Sequence, residues 1–159
     1  MRLGTRALDG APFSTRSDAE TADVGRQFAG SLAAGDLVIL SGPLGAGKTV
    51  FVRGLAERLG IDPRQVHSPS FTMVCEHASS RGPGLVHVDL YRVGHPAEVE
   101  ELGLGDYLAG DWIVAVEWGE KLPARMREGA ALVALEDAGG RTRRLTLRRP
   151  ARYVDQSSP

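Results

Sequence analysis

The stretch Gly42-Pro-Leu-Gly-Ala-Gly-Lys-Thr49 follows the pattern G-x-x-x-x-G-K-[ST]. Its glycines let the backbone curl so that successive N–H groups point at phosphate oxygens, and a following helix adds its positive end. The Lys48 ammonium can bridge the β- and γ-phosphates, and the Thr49 hydroxyl can enter a magnesium coordination shell. The stretch therefore predicts a phosphate-binding loop. The predicted nucleotide contacts are Gly42, Gly45, Ala46, Gly47, Lys48, Thr49 and Val50.

The sequence on either side of this loop predicts the strand and the helix that such a loop requires. The run Asp36-Leu-Val-Ile-Leu-Ser41 is apolar apart from its ends, which suits a strand buried on both sheet faces. After the loop, apolar residues at helical spacing end at Gly60, a glycine cap. Upstream, Ser17 and Glu20 form a capping box that predicts a helix running through about Ala33.

The rest of the chain alternates strand and helix signals. The predicted strands are 71–75, 85–89 and 112–116, with a turn-rich connector at 79–84, a helix that starts at Pro96, and a hairpin of 131–135 and 144–147 around Gly139 and Gly140. This alternation predicts an α/β, three-layer P-loop NTPase-type fold with a mainly parallel central sheet and an antiparallel C-terminal edge hairpin. The 159 residues suit a single domain with an ordered core over about 15–149 and frayed ends, including the last ten residues.

Two acids follow predicted strands where the nucleotide crevice of such a fold lies. Asp89 ends the run 85–88, and Glu117 ends the run 112–116. Because the carboxyl ends of parallel strands border that crevice, each acid is a candidate to hold magnesium or to orient a water. Either acid can also be only a turn cap. Trp118, next to Glu117, is interpreted as core or pocket wall rather than as a stacking platform for nucleic acid.

The composition is that of an ordinary globular protein, with 42% hydrophobic residues, 25% charged residues and a net charge of −1. This charge gives no reason to expect strong nucleic-acid binding. No apolar run approaches the roughly 20 residues of a membrane span, and no apolar stretch follows Arg2 and Arg6 as in a secretory signal. We therefore expect a cytoplasmic protein. The lone Cys75 is predicted to be a buried structural thiol.

The chain lacks two sequence patterns, one typical of guanine binding and one typical of zinc binding. The chain contains no asparagine, so the Asn-Lys-x-Asp guanine reader of typical GTPases is missing and ATP is the expected nucleotide. The histidines lack the paired spacing of zinc sites and are interpreted as ordinary residues. They are His67, His77, His87 and His95. A basic cluster near the C-terminus is interpreted as a solvated strand face. It consists of Arg141, Arg143, Arg144, Arg148, Arg149 and Arg152.

Seven short stretches together resemble the bacterial TsaE (YjeE) family of tRNA threonylcarbamoyladenosine biosynthesis ATPases. They are Ser41-Gly-Pro-Leu-Gly-Ala-Gly-Lys-Thr49, Phe51-Val-Arg-Gly-Leu55, Ser68-Pro-Ser-Phe-Thr72, His87-Val-Asp-Leu-Tyr-Arg92, Glu98-Val-Glu-Glu-Leu-Gly103, Asp106-Tyr107 and Val116-Glu-Trp118. They occur in the family's order and spacing over about 15–145. The phosphate loop alone indicates only nucleotide binding, whereas the combination is much more specific.

The resemblance implies an ATPase that works with TsaB and TsaD proteins to install threonylcarbamoyl on adenosine 37 of certain tRNAs, meeting tRNA only indirectly and having little activity alone. It implies Thr49 and Glu117 as magnesium ligands, Asp89 as a Walker B-type acid, and Lys48, Asp89 and Glu117 as the catalytic set. It also implies nucleotide contacts from Asp18 and Arg141. A nucleotide-sensing switch would include Ser68, Pro69 and Thr72. Pro43 stands where the family usually has an acid, which puts any role of that acid in doubt here.

Two alternatives remain open at the level of the sequence. A small-molecule P-loop kinase would use the same loop to pass the γ-phosphate to an acceptor, although no arginine-rich lid is evident between the central strands. A nucleotide-gated interaction protein would bind ATP or ADP without useful turnover. Free phosphate, a phosphorylated metabolite or retained ATP would distinguish the three hypotheses.

Overall fold

The computed structural model describes residues 1–153 and contains a seven-stranded sheet. Part of the segment predicted to fray, 154–159, lies outside the described residues. The helices are α1 (Thr5–Leu8), α2 (Asp18–Phe28), α3 (Lys48–Arg58), α4 (Pro96–Glu101), α5 (Leu104–Ala109) and α6 (Ala124–Arg127). The strands are β1 (Phe13–Thr15), β2 (Leu37–Ser41), β3 (Val74–His77), β4 (Gly84–Asp89), β5 (Trp112–Glu117), β6 (Ala131–Asp137) and β7 (Arg143–Arg148).

The strand order is β1-β7-β6-β2-β5-β4-β3. Strands β6, β2, β5 and β4 form a parallel centre, while β7 and β3 pair with it antiparallel. The α/β class, the mainly parallel sheet and the C-terminal hairpin are therefore confirmed. Strand β1, which the sequence did not predict, pairs antiparallel with β7 and becomes the outermost strand beyond the hairpin.

The alternation of side chains along the buried strands creates a core on each face of the sheet. In β2, Val38 and Leu40 belong to the core that packs under α2 and α3. Their neighbours Leu37 and Ile39 belong to the other core, which packs against α4 and α5. An unbroken apolar run is thus what a strand with two covered faces requires. The result is the predicted three-layer arrangement.

Helices α2 and α3 pack closely because each presents a glycine to the backbone of the other. A Cβ at Gly25 would meet the Phe51 carbonyl, and a Cβ at Gly54 would meet the Ala22 carbonyl, both closer than 3.0 Å. This contact fixes the start of α3, and with it the phosphate loop, against the amino-terminal helix.

The predicted boundaries of α2 and β3 differ from the observed ones. Ser17 caps α2 as expected, but Glu20 reaches back to the Arg16 N–H, and the helix ends at Phe28 in a short 3₁₀ turn instead of continuing to Ala33. Strand β3 covers Val74–His77 rather than 71–75. The reason is a turn in which the Met73 N–H donates to the Pro69 carbonyl at 2.7 Å while Met73 adopts a φ of 64°.

Other details of the local predictions also needed correction. Cys75 lies in β3 and is only half-buried, because β3 is an edge strand. Helix α5 was not predicted, although it packs beside β5 and supplies Leu104 to the second core. Within residues 1–153, none of the helices is long and apolar enough to cross a bilayer.

The topology brings three strand ends to one place. Strand β5 lies between β2 and β4, with Leu40 of β2 and Asp89 of β4 both in register with Glu117 of β5. The phosphate loop follows β2 directly. Consequently the loop and the two strand-end acids meet at one edge of the sheet.

Candidate nucleotide and magnesium site

The phosphate loop has a backbone that requires glycine at its two ends. Gly42 has a φ of 143°, and a Cβ there would lie closer than 3.0 Å to the Leu135 carbonyl oxygen. Gly47 has a φ of 100° and forms the N-cap of α3, whose first residue is Lys48. The free N–H groups at this helix start therefore face the cleft where phosphate oxygens would bind.

The Lys48 side chain lies across the loop and is only 6% exposed. Its ammonium donates to the Gly42 carbonyl and, at 3.3 Å, to the Pro43 carbonyl. The nitrogen also lies 4.5 Å from the centroid of the Trp118 ring. The Lys48 ammonium is thus held by two carbonyl oxygens and the face of an aromatic ring. A phosphate group carries a full negative charge and can bind the ammonium more strongly than either of them.

The two strand-end acids are buried and linked by hydroxyl groups. The Thr49 hydroxyl donates to Glu117 Oε1 at 3.0 Å. The Ser68 hydroxyl lies 2.9 Å from Asp89 Oδ2 and 3.3 Å from Glu117 Oε2. Asp89 Oδ1 accepts a bond from the Tyr91 N–H at 2.8 Å. One hydroxyl of the predicted switch segment therefore bridges both acids.

The surroundings of Glu117 keep it ionised although it is only 2% exposed. Burial acts to raise its pKa, but the His87 imidazole, the Thr49 hydroxyl and the charge of Lys48 together bring the pKa below its usual value. A buried carboxylate that remains charged is suited to binding a cation.

The oxygen atoms at this point fit magnesium. Thr49, Asp89 and Glu117 offer a hydroxyl and two carboxylates, which are the hard donors that Mg²⁺ prefers alongside water and phosphate. Within residues 1–153 there is no cluster of three or more His, Cys, Asp or Glu side chains that would form an all-protein metal cage. The donor set therefore matches an ion shared with a nucleotide, not a structural metal.

A pocket of about 350 Å³ opens over these groups. It is lined by Asp18, Leu44, Gly45, Gly47, Lys48, Thr49, Val50, Ser68, Asp89, Glu117, Trp118 and Arg143. Most residues expected from the sequence are therefore gathered here, and Trp118 is a pocket wall. Gly42 and Ala46 are not among the lining residues, because Gly42 turns the backbone behind the loop and Ala46 is 1% exposed.

The structure brings Arg143, rather than Arg141, into the pocket. Arg141 is exposed in the turn between β6 and β7. Arg143, the first residue of β7, donates to the Gly45 carbonyl at 3.3 Å and to Asp137 at 3.3 Å. The sequence did not single out Arg143 directly. Its place depends on the register of the hairpin, which pairs Arg143 with Asp137 and is set by the length of the turn.

The predicted switch segment is uneven in burial. Pro69 is buried, whereas Ser68 and Thr72 are exposed as whole residues. Between them, Phe71 is 81% exposed and lies under the Arg92 guanidinium at 4.3 Å from the ring centroid. The segment is connected to the acids through Ser68, and to β4 through the Asp89 N–H, which donates to the Met73 carbonyl at 2.9 Å.

A family profile, related sequences and a solved structure all match this chain, and the profile and the sequences name the same family. The profile of a family described as "Threonylcarbamoyl adenosine biosynthesis protein TsaE" matches residues 15–145. A tRNA threonylcarbamoyladenosine biosynthesis protein TsaE of Streptomyces coelicolor is 45% identical over 122 residues, covering 76% of this chain and 81% of that protein. The protein of the same name from Bacillus subtilis is 36% identical over 134 residues, covering 84% and 82%. The crystal structure of Bacillus subtilis YdiB superposes with a TM-score of 0.70 at 29% identity, covering 92% and 90%.

Proposed function

The chain belongs to the TsaE family of threonylcarbamoyladenosine biosynthesis proteins, and from this membership we propose that it is a magnesium-dependent ATPase of that tRNA modification. The observation that carries the proposal is that a phosphate loop and two buried strand-end carboxylates line one pocket. A site of this kind needs only positioning and electrostatic stabilisation to hydrolyse a phosphoanhydride.

In this proposal the nucleotide enters with its phosphates against the start of α3. The Lys48 ammonium leaves the Gly42 and Pro43 carbonyls for the β- and γ-phosphate oxygens. Arg143 and Asp18 border the pocket on the amino-terminal and hairpin side, where they contact the remainder of the nucleotide. Arg143 thereby takes the contact that the sequence suggested for Arg141.

Thr49 and Glu117 hold the magnesium ion in this proposal. An ion held there would supply positive charge that offsets the negative charge developing on the phosphates. Asp89 keeps one oxygen on the Tyr91 N–H, and its other oxygen orients the attacking water once the Ser68 hydroxyl has left it. Weak activity alone is expected, because Thr49, Ser68 and Lys48 already have partners within the protein that must be exchanged.

The partners in this proposal are TsaB and TsaD proteins, and the chain acts on tRNA only through them. The exposed Phe71 within the switch segment is consistent with a surface that changes with the nucleotide. Binding of the partners would reposition Ser68 and release Asp89 for its role with water, which accounts for stimulation.

The test is single-turnover ATP hydrolysis with and without TsaB, TsaD and tRNA, using wild type, Asp89→Ala, Glu117→Ala and the surface control Glu136→Ala. Glu117→Ala should lose magnesium-dependent ATP binding, whereas Asp89→Ala should bind ATP and lose turnover by about 100-fold or more. Glu136→Ala should behave as wild type, since Glu136 is exposed on β6 outside the pocket.

The same assay separates this function from its alternatives. Phosphate transferred to a metabolite instead of water would indicate a kinase. ATP retained unhydrolysed in the assembled complex would indicate a nucleotide-gated interaction protein. Absence of hydrolysis with the partners, together with intact tRNA modification by Lys48→Ala, would overturn the proposed function.

A further inference from the structure

His87 is a fully buried imidazole in β4, with 0% of its surface exposed. Neither Nδ1 nor Nε2 has a hydrogen-bond partner among the residues that the structure describes. An imidazole always carries at least one N–H, and a buried donor without a partner loses its hydrogen bonds to water and gains none in exchange. An ordinary core position would favour an apolar side chain here, so the imidazole calls for a functional explanation.

The ring lies directly beside the magnesium-binding carboxylate of the proposed site. Strands β4 and β5 pair in parallel with Asp89 opposite Glu117 and His87 opposite Ala115. Side chains two residues apart share a sheet face, so His87 lies below the acids on the face covered by α3. Its Nε2 is 3.6 Å from Glu117 Oε2, just beyond the roughly 3.2 Å limit of a hydrogen bond.

One carboxylate oxygen of Glu117 accepts a clear hydrogen bond, whereas the other has no donor of its own in the described part of the chain. Oε1 accepts from the Thr49 hydroxyl at 3.0 Å. Oε2 faces the Ser68 hydroxyl at 3.3 Å, but that hydroxyl has a single proton and a shorter contact to Asp89 at 2.9 Å. The His87 imidazole, whose Nε2 lies 3.6 Å from Oε2 and has no other partner within the described residues, is therefore available to donate to this oxygen.

Building on the proposed function, we propose that His87 is the positioning residue for the Glu117 carboxylate. Its proton is on Nε2, and the N–H closes onto Glu117 Oε2 when the carboxylate turns towards magnesium. This bond fixes the plane of the carboxylate and leaves the other oxygen directed at the ion. Donors to a metal-binding carboxylate of this kind typically change metal affinity by 10- to 100-fold when they are removed.

Two substitutions separate the hydrogen bond from the packing of the ring. His87→Phe keeps an aromatic ring and removes both nitrogens, whereas His87→Gln carries an N–H at about the reach of Nε2. ATP binding is measured by calorimetry in EDTA and at a series of free Mg²⁺ concentrations. Mn²⁺ binding in the presence of ATP is followed by electron paramagnetic resonance, which requires no turnover.

The expected result is that His87→Phe raises the Mg²⁺ and Mn²⁺ concentrations needed for half-maximal binding by at least tenfold. ATP binding in EDTA should stay within twofold of wild type, and His87→Gln should recover most of the loss. A metal requirement within twofold of wild type in His87→Phe would overturn the inference, as would an equal loss with and without metal. If wild type itself shows no metal dependence, the proposed function fails before the variants are compared.

Discussion

Lys48 is the residue on which the proposed nucleotide binding depends most directly. Its ammonium is held within the loop by two carbonyls and the Trp118 ring, so it is already in position when phosphate arrives. Hydrogen bonds to charged groups contribute about 1.5–3 kcal/mol each, which corresponds to roughly 10- to 100-fold in affinity.

Replacement of Lys48 by Ala is therefore expected to weaken ATP binding by about 10- to 100-fold. The chain has one other lysine, Lys121, which donates to the Tyr91 and Val93 carbonyls and does not line the pocket. Lys121→Ala is the matched control and should bind ATP as wild type does. Calorimetry measures both affinities, and equal losses in the two variants would contradict the role given to Lys48.

Gly42 and Gly45 offer a test of the loop backbone. Both have positive φ, but a Cβ at Gly42 would collide with the Leu135 carbonyl, whereas a Cβ at Gly45 has no atom within 4 Å. Gly42→Ala should lower the free energy of unfolding by roughly 1–3 kcal/mol more than Gly45→Ala, because only the first adds a clash to the backbone cost. Urea denaturation measures the difference, and equal effects would show that the clash is relieved by movement of β6.

At the scale of elements, the close contact between α2 and α3 holds the helix that follows the phosphate loop against the amino-terminal helix. Gly54→Ala places a Cβ against the Ala22 carbonyl and should destabilise the protein by roughly 1–3 kcal/mol. Gly105→Ala in α5 meets no atom within 4 Å and should stabilise it by about 0.4–1 kcal/mol. The two effects should have opposite signs in urea denaturation. A stabilising Gly54→Ala would mean that the helices do not need this close approach.

Sequence reasoning succeeded for the elements whose signals are local. The strand β2, the loop and α3 are adjacent in the chain, and each is specified by its own pattern. The acids Asp89 and Glu117 were found because each ends an apolar run, and parallel pairing then brings them together. Residues specified locally and placed by a general rule of parallel sheets are therefore predictable.

Sequence reasoning failed where long-range pairing decides the outcome. Strand β1 is only three residues long, and its pairing with β7 joins residues that are 128 to 132 positions apart in the chain. The start of β3 was misplaced because a turn precedes it, in which the Met73 N–H donates to the Pro69 carbonyl. The apolar residues of this segment gave no sign of that turn. The positions of Arg143 and His87 depend on how β7 pairs with β6 and how β4 pairs with β5. The sequence alone therefore did not distinguish Arg143 from the neighbouring arginines, or His87 from the other histidines.

At the scale of the molecule, three of the six arginines in the cluster near the C-terminus form ion pairs within the fold. Arg143 binds Asp137 and the Gly45 carbonyl, Arg149 binds Asp9, and Arg152 binds Asp36 just before β2. These pairs join the amino-terminal segment, the hairpin and the strand that leads into the phosphate loop. Arg144 and Arg148 are exposed on β7, in agreement with a solvated strand face.

Global stability should depend on pH through His77, which is buried at the end of β3. Burial lowers its pKa, and the neighbouring His87 and His67 lower it further. An unfolded chain protonates this side chain near pH 6.5, whereas the folded protein resists protonation until a lower pH. The stability associated with neutral His77 is therefore present above about pH 6.5 and is lost as the pH falls from there towards the folded pKa.

His77→Phe, which keeps a ring and removes the titration, should thus lose less unfolding free energy than wild type between pH 7.5 and pH 5.5. His95→Asn is the matched control, because His95 is exposed and caps α4 through Nδ1, a position that Asn also satisfies. This control should keep the pH dependence of wild type. Urea denaturation at the two pH values gives the comparison, and an unchanged pH dependence in His77→Phe would show that other groups account for the acid sensitivity.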